Sequence, residues 1–554
     1  MKILFTALNA KYIHVNLALK CIAKYCKKFS PVVKEYTIND NIDAVIADIY
    51  SQNADVIAFS CYIWSIEKIL YIAECIKKVN PGVFIVLGGH EVSYDSEEVL
   101  KNNKSVDCII RGEGEKPMFS LLSAYEKGKD FKDVPSLTYR KSGEILQNPL
   151  CESIPLDDYE FMYDDSIKDY KGKILYYESS RGCPYKCSYC LSSNSAKVNF
   201  LSLERVKKEL MFFVKNKVPL VKFVDRTFNA DRKRANEIFK FIIENRAETK
   251  FHFELAGNLI DDEMIEILKD TPEGLIQFEI GVQSTNEKTI NAIGRNIDFL
   301  KVASNVKKIL DIGTIHIHLD LIAGLPYETL GIFKKSFNDV LRIRPHMLQL
   351  GFLKLLKGSR IRNEKDKFGY KFKSKAPYEV MENDFISFDE LIVLKRIESV
   401  LDRYYNSGDF KYTMDYLFKK YDSYYEIFEK IADYYEKNSL FKVAVSHDGA
   451  YDVLLDIFDD ENIKDYVKAD RLLNKKAKLI YDIDEDFRQK CFEVLKNKEF
   501  SQKYLSHYKD SAAKKIFNLV RFEKLFGKVF LYDNKNNTLT DVTDDFASLT
   551  GEEI

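Results

Sequence analysis

Over residues 1–125, short apolar runs alternate with stretches whose apolar positions fall three and four apart. "KILFTAL", "DVIAFSCY", "PGVFIVLGG" and "VDCIIRGEGE" read as strands, and "NLALKCIAKYC", "SIEKILYIAECIKKV" and "PMFSLLSAYEK" read as helices. Continuous apolar strands separated by amphipathic helices predict a parallel sheet covered on both faces, with ligands beyond the carboxyl ends of its strands. The polar or glycine-bearing ends "SCYIW", "GGHE" and "GEGE" mark that edge.

From 131 to 170 the pattern weakens into Pro, Gly and acids, which predicts a linker or hairpin crossing. A second series runs from 171 to 375. "KILYYES", "LVKFVD", "KFHFELA", "LIQFEIGV", "TIHIHLDLIAG" and "MLQLGFL" are candidate strands, with helical patterns such as "DRKRANEIFKFIIENR" between them. Six such repeats predict a partial (β/α)6 barrel of the TIM type, with chemistry at the strand C-termini. Residues 376–554 are amphipathic and rich in Tyr and Phe, a mostly α-helical domain. The fold class is therefore α/β with a helical C-terminal domain. The expected boundaries are 1–130, 131–170, 171–375 and 376–554.

Composition changes this picture little. Of 554 residues, 46% are hydrophobic and 31% charged, a globular balance, and the formal net charge of −1 points to neither nucleic acid nor membrane. "MKILFTALNAKYIH" reads as a first strand, not a signal peptide, and no apolar run approaches the ~18 residues of a membrane span. A cytoplasmic location is expected, with the ten cysteines reduced. Seven of them, at 21, 26, 61, 75, 108, 151 and 491, are scattered small hydrophobes.

The other three share "RGCPYKCSYC": Cys183, Cys187 and Cys190. Thiolates suit zinc or an iron–sulfur cluster. A structural zinc site takes four closed ligands, and no second C-x-x-C or His pair lies nearby to complete one. Three cysteines on a cubane leave one iron open to a substrate, whereas a ferredoxin-type cluster uses four. The loop follows the first strand of the barrel-like series, at the end where chemistry is expected.

"CPYKCSYC" resembles the C-x-x-x-C-x-aromatic-C signature of the radical S-adenosylmethionine (SAM) superfamily. The resemblance implies an oxygen-labile [4Fe–4S] cluster on Cys183, Cys187 and Cys190, with SAM chelating the fourth iron, and hence anaerobic chemistry. It also implies an external flavodoxin- or ferredoxin-like electron donor. By position, Tyr189 would pack near the adenine. Asp225 and Arg226 in "FVDRTF" would meet the SAM amino group. Glu254, Glu279, Gln283 and Ser284 would meet ribose or carboxylate, and Ile322, Gly324 and Leu325 would flank the adenine.

In front of such a core, the Rossmann-like first domain resembles the cobalamin-binding segments of the B12-dependent radical SAM branch. Ser60, Gly88, Gly89, Gly112 and Gly114 would line the corrin edge, with Glu113 and Glu115 nearby. The Asp-x-His-x-x-Gly motif that supplies an axial imidazole elsewhere is absent, since His14 has neither partner in register. Ile63 or Trp64 of "CYIWS" would then cover the lower face. A dinucleotide fold is the weaker alternative, because "GEG" lacks the full G-x-G-x-x-G; an empty Rossmann-like module is another. The whole, including "LQLGFLKLLKGS" and the helical extension, resembles a B12-binding radical SAM subgroup.

The resemblance implies a cobalamin-dependent methyltransferase acting on an unactivated carbon. The alternatives are a cyclisation or rearrangement without methyl transfer, and a non-catalytic cobalamin or cluster sensor. The substrate, small molecule or RNA, is open. Residues 471–530 hold 15 Lys/Arg against 8 Asp/Glu and interleave bases with aromatics, as an RNA-binding face or a solvated helix face does.

Overall fold

The computed structural model describes residues 1–551 other than 164–166, 168–169, 196, 246–247, 475–483 and 509–510. The chain forms two compact units, Met1–Leu391 and Ile392–Ile554.

The first unit opens with a seven-stranded sheet. Strands β1 (Ile3–Asn9), β2 (Val32–Thr37), β3 (Val56–Ser60), β4 (Phe84–Gly88) and β5 (Cys108–Ile110) are parallel, and β6 (Leu137–Lys141) and β7 (Glu144–Gln147) add an antiparallel edge in the order 2-1-3-4-5-6-7. Part of the segment read as a linker or hairpin thus belongs to this sheet. Its two-residue turn, Ser142-Gly143, has positive φ at both positions, the geometry that matches strand twist in a tight hairpin. Alternate residues of β1 serve opposite cores. Leu4 and Leu8 pack with Val45, Ile49, Ile69 and Ile76, and Phe5 and Ala7 pack with Leu19, Met118 and Leu122. That two-sided burial is why the strands read as unbroken apolar runs.

After this sheet come β8 (Leu175–Tyr177), β9 (Ser180–Arg181), β10 (Asn199–Phe200), β11 (Leu220–Phe223), β12 (Lys250–Leu255), β13 (Ile276–Gln283), β14 (His316–Ala323) and β15 (Met347–Phe352). Among the described residues, β8 and β11–β15 form a six-stranded, all-parallel sheet in the order 15-14-13-12-11-8, so it is a barrel left open between β15 and β8. One face is apolar and buried, including Phe223, Phe251, Phe253, Phe278, Ile280, Leu319 and Leu348. The alternate positions carry Lys222, His252, Glu254, Gln277, Glu279, His318 and Asp320, and β13 and β14 alternate buried with half-buried residues along their length. A short hairpin, β16 (Lys371–Phe372) with β17 (Val380–Glu382), follows β15.

The second unit is mostly helical, with helices at Lys411–Lys420, Tyr424–Lys437, His447–Ile457, Ile463–Leu473 and Glu485–Lys496. Its core holds fully buried Tyr404, Tyr425 and Tyr451. The Tyr404 and Tyr435 hydroxyls share a 2.9 Å hydrogen bond, and the Tyr451 hydroxyl donates to the Asp409 carbonyl, so the polar tips of two of the core tyrosines are satisfied. Near its end a three-stranded antiparallel sheet appears, β18 (Val520–Leu525), β19 (Lys528–Asp533) and β20 (Thr538–Asp541). The alternation in "VRFEKL" is its sequence signal. Part of the basic, aromatic-interleaved stretch 471–530 lies outside the described residues.

Candidate functional site

The three clustered cysteines sit on the loop between the paired β9 and β10, just past the carboxyl end of β8. Gly182 has φ +103°, and a Cβ there would run into the Lys197 carbonyl oxygen, so the chain enters the loop through a turn that only glycine allows. Backbone bonds hold the middle of the loop. Ser188 N donates to Ile293 O at 2.8 Å, and Ile361 N donates to Ser188 O at 2.9 Å. Cys183 and Cys187 are buried, Cys190 is half-buried, and all three are free thiols.

Two sulfurs have polar neighbours. Cys183 Sγ lies 3.4 Å from Thr227 Oγ1, and Arg295 Nη1 donates to Cys187 Sγ at 3.6 Å and to the Tyr189 hydroxyl at 3.2 Å. Burial pushes the Cys187 thiol up and the Arg295 guanidinium pulls it back. Arg295 reaches the loop because Gly294, at φ +67°, packs against Lys186 O, and its Nη2 is fixed by Gly281 O at 2.5 Å. Neither Arg295 nor Thr227 was singled out from the sequence. Residues 108 and 44 positions from their sulfurs leave no local pattern to find.

The residues expected around SAM lie on β11–β14 and the turns after them, most near the carboxyl ends, with Glu279 midway along β13. Asp225 is buried and accepts from Ser179 N, Ser179 Oγ and Ser180 Oγ at 2.6–2.8 Å, yet burial still pushes it up to about 6. Arg226 beside it is exposed. Glu279 is held down to about 2, through hydrogen bonding to His252 Nε2 at 3.0 Å against burial, with Lys222 Nζ adding its charge at 3.1 Å. Burial raises Glu254, and raises Asp320 to about 7 with the Glu279 and Glu254 charges adding to the shift. Ser284 Oγ donates to Glu328 Oε1 at 2.5 Å, away from the open face. Gln283 has φ +72° at a register shift in the β13–β14 ladder. Gly324, at φ +88°, has its carbonyl capped by Tyr370 OH and Asn383 Nδ2 at 3.0 and 2.9 Å, with Leu325 buried and Ile322 half-buried beside it.

The edge of the first sheet gathers the other expected set. Cys61 N donates to Gly88 O at 2.7 Å, and Gly89, at φ +109°, leaves only 2.5 Å between a would-be Cβ and Cys61 O, so it serves strand-end packing. At Gly114 a Cβ would meet only the end of the Ile22 side chain, and on Gly112 it would meet nothing within 4 Å. Ser60 Oγ lies 3.5 Å from Asn16 Oδ1. Trp64 is 44% exposed, its indole N–H tied to Leu8 O at 3.0 Å and its ring stacked on Tyr62 at 4.6 Å, with half-buried Ile63 between them in sequence. His14 Nδ1 shares a 2.7 Å hydrogen bond with the Tyr176 hydroxyl. Glu113 and Glu115, expected near the corrin, both face Arg181.

Residues 3–122 match the family model for a B12 binding domain, and residues 177–340 match that for the radical SAM superfamily. The chain carries a B12-binding domain and a radical SAM domain. Residues 366–543 match a further model, described as a protein of unknown function (DUF4080). Among curated proteins the chain is similar to an uncharacterized methyltransferase, PH0819, of Pyrococcus horikoshii, at 25% identity over 57% of this chain and 65% of the relative. It is also similar to the cobalamin-dependent radical SAM methyltransferase TokK of Streptomyces tokunonensis, at 25% identity over 64% of this chain and 55% of the relative. The matches thus span 55–65% of these relatives' lengths. Among solved structures, that of apo OxsB, a cobalamin-dependent S-adenosylmethionine radical enzyme, superposes with a TM-score of 0.59 at 14% identity, over 92% of this chain and 75% of the other, a likeness of fold.

A radical SAM domain uses a [4Fe–4S] cluster and SAM, and a B12-binding domain uses cobalamin; the residues present fit each. Three free thiols, two with hydrogen-bonding neighbours, are the soft donor set a cluster takes. Among the described residues no group of three His, Cys, Asp or Glu is arranged around a single ion. Thiolates of a cubane each bind a different iron, so they need not converge. Among the described residues, Asp320 Oδ1 and Gln283 Oε1 of the radical SAM domain are buried polar atoms without partners, which suits a polar ligand such as SAM. In the B12-binding domain the open space over Gly112 and the exposed Trp64 face suit a large planar ring. No helix among the described residues is long and apolar enough to cross a membrane.

Proposed function

We propose that the protein is a cobalamin-dependent radical SAM methyltransferase that builds a C–CH3 bond at an unactivated carbon. The observation that carries this reading is the placement of the three-cysteine loop beside the ligand edge of the B12-binding domain, joined to it through Arg181, Glu113 and Glu115. The two relatives described above are both named as methyltransferases, which supports it.

Held by these residues, a [4Fe–4S] cluster would supply the electron for reductive cleavage of SAM, and cobalamin would supply the methyl group. The protein's own part is to bind, orient and shield. Cys183, Cys187 and Cys190 are the cluster ligands. Arg295 donates to the Cys187 sulfur, Thr227 Oγ1 lies 3.4 Å from that of Cys183, and the buried guanidinium offsets thiolate charge. Tyr189, fixed by Arg295, and the Ile322–Leu325 segment flank the adenine. Asp225, Arg226, Glu254, Glu279 and Gln283 surround the polar parts of SAM, while the Ser284 hydroxyl is engaged by Glu328 and stands behind them. Ser60, Gly88, Gly89, Gly112 and Gly114 line the corrin edge. Trp64, with its N–H occupied and its ring backed by Tyr62, would offer a flat apolar face to the corrin, next to Ile63. An external low-potential donor supplies electrons, and the reaction takes place in the cytoplasm without oxygen.

The test is an anaerobic incubation of reconstituted protein, cobalamin and SAM bearing a deuterated methyl with separate tRNA, protein and small-molecule fractions of a cell extract. Label in one fraction, together with S-adenosylhomocysteine and 5′-deoxyadenosine, is the expected result and names the substrate class. Fraction-dependent 5′-deoxyadenosine with no labelled product would replace methylation by rearrangement. Cys183→Ala is expected to lose both the iron–sulfur chromophore and SAM cleavage.

A further inference from the structure

Arg181 stands two residues before Cys183, with its guanidinium surrounded by three carboxylates. Its Nη2 meets Glu178 Oε2 at 2.7 Å and Glu115 Oε1 at 3.0 Å, its Nη1 meets Glu113 Oε2 at 3.2 Å, and its Nε donates to Glu178 Oε1 at 3.1 Å. The Tyr159 ring lies 5.3 Å away, and Ser153 Oγ holds the other Glu113 oxygen at 2.7 Å. Glu115 is 5% exposed and Arg181 22%. Two of the three carboxylates belong to the "GEGE" turn at the edge of the first sheet, and the third to the chain leaving the first barrel strand.

One guanidinium therefore ties the turn at the ligand edge of one domain to the root of the cysteine loop of the other. The loop side of this joint is stiff: β9 pairs with β10, and Gly182 is pressed against Lys197. Only a planar fork fits the pattern. Five N–H donors in fixed directions reach three separate carboxylates, whereas a lysine ammonium is a single point of charge. The carboxylates outnumber the cation, so loosening the fork leaves like charges facing one another.

We propose that Arg181 is a positioning residue: by clasping Glu113 and Glu115 it fixes the separation between the cysteine loop and the cobalamin edge. The proposal rests on the reading of two bound cofactors given above for its spectroscopic consequence, and on the clasp alone for its structural one. A radical formed at one centre has to meet a methyl donor at the other, so an unfixed separation separates SAM cleavage from transfer.

The test compares the parent protein with Arg181→Lys and with Glu113→Gln/Glu115→Gln. Hydrogen exchange is measured at residues 111–115 and 181–183, and paramagnetic resonance is measured on the holoenzyme carrying reduced cluster and cob(II)alamin. Both variants are expected to exchange about tenfold faster or more at these two segments, with exchange in the barrel strands unchanged. In the parent the two spins give one defined dipolar splitting, and in both variants that splitting spreads into a broad distribution at unchanged iron and cobalt content. A merely stabilising arginine would leave the splitting intact in Arg181→Lys, which keeps the charge, and that outcome overturns the proposal. Exchange indistinguishable from the parent in both variants overturns it as well. Iron or cobalt missing from the parent itself would count against the two-cofactor reading, and the exchange result would then decide the clasp by itself.

Discussion

Glu328 is a buried carboxyl with no cation beside it among the described residues. It is 1% exposed, its Oε1 accepts from Ser284 Oγ and Ser336 Oγ, and its Oε2 is buried without a partner. Burial pushes it up to about 8 from 4.5, with the two serine bonds opposing the shift. A carboxyl raised in the folded state stays protonated there while the unfolded chain ionises, so the folded state binds more protons between the two values. Its stability therefore falls as pH climbs from about 4.5 to about 8 and is flat above. At about 1.4 kcal/mol per pH unit, the full window is worth roughly 4–5 kcal/mol, of which roughly 3 kcal/mol falls between about pH 5.5 and about pH 8. Glu328→Gln keeps the shape and removes the ionisation. The single tryptophan, Trp64, lies in the same compact unit, so its fluorescence in urea reports on that unit. Relative to the parent, the variant is expected to gain roughly 3 kcal/mol across that interval, while other titrating groups cancel in the comparison. A parent–variant difference that does not move with pH would refute the protonated carboxyl.

Gly89→Ala forces a Cβ to 2.5 Å from Cys61 O and 3.1 Å from Cys61 N at φ +109°. It is expected to cost about 2–4 kcal/mol and to weaken cobalamin retention, read by thermal melting and by the absorbance that survives gel filtration. An unchanged melting temperature would refute close packing of Gly89 against Cys61. Arg295→Met removes a cationic donor from Cys187 Sγ and should make the cluster harder to reduce by about 60 mV, the equivalent of a charge-assisted hydrogen bond of about 1.5 kcal/mol. A resonance-monitored redox titration measures it, and an unshifted potential would remove Arg295 from the cluster's surroundings.

Much of this protein is legible along the chain because the signals are local. The spacing of Cys183, Cys187 and Cys190 lies within one loop; strands of the first sheet, buried on both faces, are apolar at successive positions, and those of the barrel alternate apolar with polar residues, so both parallel sheets show along the chain. The three strands near the C-terminus were hidden among helical, Tyr-rich sequence, since four to six alternating residues compete poorly with the helical period around them.

Which carboxylates face which cation depended on the folded chain. Glu113 and Glu115 stand in a glycine-bearing turn that suits a ligand edge, and only packing turned them onto Arg181, 66 residues beyond Glu115. Arg295 likewise reaches Cys187 across 108 residues, through a left-handed glycine and a bond to Gly281 O. The amino-acid sequence by itself determined the element types, their order and the thiolate chemistry, because backbone period and ligand spacing act over a few residues. The electrostatic surroundings of that chemistry were decided by tertiary structure, because charge interactions act through space and take no account of distance along the chain.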